Sequence, residues 1–212
     1  MLKKVLVCLV LAVSISCFSA TCSSAAGYTQ SMNINPDIAK WKEGIGKATD
    51  QLDIMMSVLD ELLNQKTLDL KALFNNFTSK LSMIEKLPKE AKSIANSIEA
   101  KKKAYLSKWQ KENKGITDPK VLEKAEILRN SVVLRLSKLK DLAEGLQNSY
   151  APFINDLKDI KKTLAENLNI QKLFSIASSI IRSKDNASIL KEKIDEFTNQ
   201  LSNTQDTLAT QL

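Results

Sequence analysis

The chain has 212 residues, 43% of them hydrophobic and 26% charged, with a formal charge of +7. That balance excludes a largely disordered chain, and five glycines, four prolines and 5% aromatic residues exclude the turn-rich pattern of an all-β fold. Histidine is absent, and the three cysteines, Cys8, Cys17 and Cys22, all stand near the N-terminus.

Lys3 and Lys4 precede an apolar run over residues 5–18 and then small residues, the order of an export signal. The run is shorter than the roughly 20 residues needed to span a bilayer. Ser24 and Ala26 stand three and one before Gly27, so cleavage is expected there, leaving residues 1–26 as a signal peptide and 27–35 as a polar, flexible lead-in. Export to the periplasm or cell envelope follows. Lipid attachment at Cys17 is the alternative, because bacterial lipoproteins are cut and acylated at a cysteine just past the apolar run. Neither Cys17 nor Cys22 has the preferred leucine before it. A mature chain lacking thiol and imidazole has no Cys nucleophile, no His-based triad, and no thiolate or imidazole metal site. No enzymatic activity, metal or cofactor is therefore expected.

Asn35, Pro36 and Asp37 supply a capping side chain, a first-turn proline and a negative charge at the positive end of a helix dipole. The first helix is predicted over 37–63. Gly44 and Gly46 weaken its opening turns, and Leu52, Met55, Met56, Leu59, Leu62 and Leu63 make its firm stripe. A short polar break follows at 64–67, with Thr67 expected to cap a second helix over 68–114. Leu70, Leu73, Phe74, Phe77, Leu81, Ile84, Leu87, Ala91, Ile94, Ile98 and Tyr105 form its stripe. Pro88 predicts a kink or restart within it, and Gly115 a left-handed C-terminal residue.

Asp118 and Pro119 open the third helix, predicted over 119–167. Val132, Leu136, Leu139, Ala143, Leu146, Tyr150, Phe153, Leu157, Ile160 and Leu164 recur at spacings of four and three, a stripe long enough to need partner helices along its whole length. The register passes through Pro152 unshifted, which predicts a bend in one helix and not a boundary between two. Leu173, Ile180, Ala187, Ile194, Leu201 and Leu208 fall seven apart with Ile176, Leu190 and Phe197 between them, predicting a single last helix over 170–208. The polar patch at 183–186 is its alternative breaking point. Short connections make neighbouring helices antiparallel, so the fold class is all-α, an elongated antiparallel up-down-up-down four-helix coiled-coil bundle.

Three segments carry a resemblance. Lys108-Trp109-Gln110-Lys111-Glu112, the run Tyr150-Ala151-Pro152-Phe153-Ile154-Asn155-Asp156-Leu157-Lys158-Asp159-Ile160, and the corner Leu-Ala-Glu-Asn-Leu-Asn at 164–169 together resemble a family of exported bacterial proteins of unknown function with long coiled-coil helices. The resemblance spans the chain from about Trp41 onward. It implies the helical fold and export, often with a lipoprotein-type leader, and it brings no activity. The contexts of Cys17 and Cys22 are where this chain departs furthest from that family.

Packing is the expected role of Trp41, Trp109, Met55 and Met56. The carboxylates read as scattered on polar faces with lysines at helical spacing, as Glu85 with Lys89 or Lys191 with Asp195, and none reads as isolated in an apolar run. The glycines are too dispersed for a phosphate loop. Residues 86–120 hold ten lysines against four acids, with Lys101, Lys102 and Lys103 consecutive. The second helix outlasts the first, so residues from about Ile98 to Ala125 are expected to form a protruding lysine-rich hairpin tip around Gly115. That tip is the candidate surface for an unknown protein partner, an anionic envelope component or peripheral membrane contact. Nucleic acid is not an expected partner, since no aromatic residues interleave the lysines.

Overall fold

The computed structural model describes residues 35–64 and 69–210. The expected signal peptide with Cys17, residues 27–34 of the expected lead-in, the Thr67 cap and the side chain of Leu208 lie outside the described residues, while Asn35 already belongs to the first helix. Every regular element among those described is helical: α1 (Asn35–Asn64), α2 (Leu70–Ile84), α3 (Leu87–Glu112), a 3-10 turn (Asn113–Gly115), α4 (Pro119–Glu166), α5 (Ile170–Ser175) and α6 (Ala177–Thr210).

The ends of these helices follow local chemistry. Asp69 caps α2, its Oδ1 accepting from the Ala72 backbone N–H at 2.9 Å, so the helix opens at Leu70 and not at the expected residue 68. Pro88 stands in the first turn of α3, where its missing N–H costs no hydrogen bond, and the expected second helix restarts there after a turn at Glu85 and Lys86. Asp118 caps α4 by accepting from Lys120 N at 2.9 Å, and Pro119 follows it. Asn169 caps α5 by accepting from Lys172 N at 2.8 Å.

Two expectations at helix ends are corrected. Gly115 does not take up a left-handed conformation. Instead α3 tightens into a 3-10 turn, with the Asn113 side chain donating to Trp109 O at 2.8 Å and the Ile116 N–H to Asn113 O at 3.2 Å. The predicted last helix is divided as well, at Ile176 and not in the polar patch at 183–186. The Ser175 hydroxyl donates to Lys172 O at 2.7 Å, competing for the carbonyl that the Ile176 N–H also approaches, and the ladder loosens for one residue. The side-chain register survives the break: Leu173, Ile180, Ala187, Ile194 and Leu201 are all buried.

The core runs the length of the molecule. α4 contributes all ten members of its predicted stripe, joined by Ile154, and it continues as one helix through Pro152. It packs against α3 and α2 on one side and α6 on another, while α1 packs against α2 and α6. Paired side chains give the directions. Lys102 reaches Ser137 and Arg129 covers Trp109, so α3 and α4 run opposed; Asp53 with Lys191 and Asp60 with Lys184 oppose α1 and α6. α1 is longer than its firm stripe suggested, because Ile38, Trp41 and Ile45 are also buried. At Gly44 an added Cβ would stand 3.8 Å from Ile94 Cδ1, an ordinary contact.

Candidate functional site

Lys101, Lys102 and Lys103 lie at a structural boundary. Lys101 pairs with Asp37, in the first turn of α1, at 2.7 Å. Gln205, close to the end of α6, accepts from Lys42 at 2.8 Å. Both α1 and α6 therefore end near the level of Lys101, while α3 continues to Glu112 and α4 begins only at Pro119. Beyond this neck, residues 102–136 form an arm built mainly from the pairing of α3 with α4. The arm is roughly 25 Å long from the 18 residues of α4 it contains.

Burial follows this division. Within the arm Tyr105, Asn113, Val132 and Leu136 are buried, and Leu106, Trp109, Leu122, Ala125 and Leu128 are half-buried. A two-helix pair can hide only one narrow strip, so its apolar residues remain partly wet. Trp109 is closed over by Arg129, whose guanidinium carbon lies 5.0 Å from the ring centroid, a cation–π contact. The expected tip is thus displaced. Ile98 is 0% exposed and belongs to the bundle, while on the α4 side the arm reaches past Ala125 to Leu136.

The three consecutive lysines are neck residues and not the apex. Lys102 Nζ lies 2.7 Å from Glu99 Oε2 and reaches Ser137, and Lys103 lies 3.9 Å from the other Glu99 oxygen. Contact with Lys102, supported by Lys103 and Lys140, holds the Glu99 carboxyl below the usual carboxylate range. Reversing the charge of all three lysines would set like charges beside Asp37 and Glu99 and so disturb the neck itself. The lysines free to meet a partner lie further out. Among the described residues no carboxylate stands at ion-pair distance from the exposed side chains of Lys111, Lys114, Lys120 or Lys124.

Charge is distributed unevenly. The arm has nine lysines and arginines against four acids. Residues 35–101 have ten basic and ten acidic residues, and residues 137–212 again ten of each. All the excess positive charge past residue 34 therefore sits on the arm. A window ending at Lys120 misses Lys124, Arg129 and Arg135, which only the pairing of α3 with α4 brings in.

Two other features have polar chemistry. Asp156 is 7% exposed within the stripe of α4, correcting the expectation that no carboxylate stands in an apolar run. Arg182 holds its Oδ1 through Nε at 2.8 Å and Nη2 at 2.7 Å, and Asn186 Nδ2 donates to Oδ2 at 2.7 Å. This is a cross-helix tie that leaves both carboxylate oxygens occupied. Its signal was present in the sequence, an acid between Phe153, Ile154 and Leu157. The surface pairs are also redrawn: Glu85 meets Lys158 at 3.3 Å and Lys191 meets Asp53, both between helices and not along one.

The second feature is an open groove of about 370 Å³ between α1 and α3, lined by Asp37, Trp41, Gly44, Glu90, Ser93 and Ser97 among others. Charges of both signs face it, with no cluster that would favour one ligand charge. Deeper in, burial pushes the Tyr150 phenol well above its ordinary pKa, with Glu90 adding to the effect, so it stays protonated. No group of three or more His, Cys, Asp or Glu residues able to hold a metal occurs among the described residues, and no described helix is long and apolar enough to cross a membrane.

No family model, curated protein or solved structure matches this chain.

Proposed function

We propose that the chain is an exported, non-enzymatic interaction protein of the bacterial envelope, an elongated antiparallel four-helix coiled-coil bundle whose basic arm is its working surface. In this reading the four legs are α1, α2 continued by α3, α4, and α5 continued by α6. The single observation that carries it is the charge excess of residues 102–136 beside the neutral balance of the rest. Such a segregated field steers an anionic partner to one end of the molecule and leaves the bundle indifferent to it. The leader, and the likeness to exported coiled-coil proteins, support the envelope as the place where that partner is met.

Two measurements test the reading. Reversing Lys111, Lys114, Lys120 and Lys124 to Glu should abolish retention of the folded protein on a sulfated-polymer column at moderate salt. Reversing Lys71, Lys89, Lys161 and Lys162, four exposed lysines on the bundle, should leave most of it, although both variants change the net charge equally. Equal losses would make the arm an ordinary solvated surface. For export, protein isolated from its own host should begin near Gly27 and contain no titratable thiol, or carry the added mass of lipid on Cys17. Recovery from the cytoplasm with Met1 intact would overturn the export half of the proposal.

A further inference from the structure

The solvent face of α4, along the arm and just past the neck to Lys138, has a pattern that its charge alone does not explain. Lys120, Lys124, Ile127, Ser131, Leu134 and Lys138 follow one another at spacings of four and three, which on a helix makes a single row. The row faces away from the strip that α4 buries against α3, where Val132, Leu136 and Leu139 lie. Ile127 is 63% exposed and Leu134 is 71% exposed, one heptad apart, and lysines stand at both ends of the row. Two large aliphatic side chains at these positions lie mostly outside the packing of the arm.

We infer that this row is a docking face for an anionic phospholipid surface, with Ile127 and Leu134 entering the headgroup boundary and Lys120, Lys124 and Lys138 meeting the phosphates. The inference rests on the proposed role of the arm and names its partner. Three considerations select lipid. Charge complementarity requires an anion, since the arm holds all the excess positive charge past residue 34. A second copy of the chain would present the same basic row and be repelled. An acidic protein would neutralise the lysines, but two isolated aliphatic residues offer little apolar surface toward a protein interface, which buries about 800 Å² per partner in all, polar rim included. They suit shallow insertion, in which apolar burial and attraction to anionic headgroups add together. The row spans about 27 Å along the helix, so all its members can meet a flat surface at once.

The test uses the full chain with vesicles of phosphatidylcholine alone and with phosphatidylglycerol added, alongside a soluble sulfated polymer. Binding to the anionic vesicles is compared between parent and variants, which share the apolar run at 5–18, so its contribution is common to all. The parent should prefer anionic vesicles. The double variant I127S/L134S should weaken binding to the anionic vesicles about tenfold while leaving retention on the polymer unchanged, because its charges are intact. The triple variant K120E/K124E/K138E should lose vesicle binding and weaken on the polymer. Vesicle binding indifferent to I127S/L134S would overturn the insertion face, as would retention on the polymer with no vesicle binding at all; either result leaves the arm as an anion-binding surface for another partner. Failure to bind either probe would overturn the proposed function together with the lipid assignment.

Discussion

Leu146→Asp should unfold the protein or lower its melting temperature by about 6–20 °C. Leu146 is 1% exposed near the middle of α4, where that helix faces neighbours on two sides. The substitution removes an apolar side chain and buries a carboxylate with no positive partner, a combined cost of about 3–5 kcal/mol or more. A domain of this kind has about 5–15 kcal/mol in total, and at this size each kcal/mol moves the melting temperature by about 2–4 °C. Leu134→Asp, twelve residues earlier on the same helix, is the control. That side chain faces solvent, and its loss should change stability by less than about 0.5 kcal/mol. Thermal melts by circular dichroism compare the two, and similar melting of both variants would mean that the buried face of α4 is misassigned.

Pro152→Ala should act in the opposite sense. Pro152 is exposed inside α4 and leaves the carbonyl of Asn148 without its usual backbone donor. A proline in a helix interior is about 3 kcal/mol less favourable than alanine, and the greater freedom of the unfolded alanine chain returns about 0.4–1 kcal/mol of that. A net gain of about 2 kcal/mol is expected, a rise of several degrees in melting temperature. A fall instead would mean that the proline sets a bend on which Phe153, Asp156 and Leu157 depend to meet α6.

The long elements were legible because helical periodicity is a property of many residues at once. The stripe from Val132 to Leu164 could be read directly, and no single proline or glycine could hide it. Junctions were less legible, because they turn on single hydrogen bonds: Ser175 competing for one carbonyl broke the last helix, and Asn113 reaching back to Trp109 removed the need for a left-handed glycine. The arm lay between these cases. Helix lengths indicated that a tip should exist, but its base depended on where Asp37 and Gln205 sit across from other helices. Pairings between helices carry no mark in a single sequence, and for the same reason helical spacing alone does not show that Glu85 meets Lys158 or that Lys191 meets Asp53. The row of Lys120, Ile127 and Leu134 is not legible in the sequence, because exposure, unlike periodicity, is known only once the neighbours are placed.

α4 belongs to both arm and bundle, and this gives the molecule a mechanical character. A displacement of the apex is carried along one helix of 48 residues into the bundle, past the neck and as far as the clasp of Asp156 with Arg182 and Asn186. α3 transmits less, since the turn at Glu85 and Lys86 interrupts it before the far end. The arm is therefore a lever with one stiff member and one jointed member. A load at its tip is felt as torque between α4 and α6, well away from the surface that receives it.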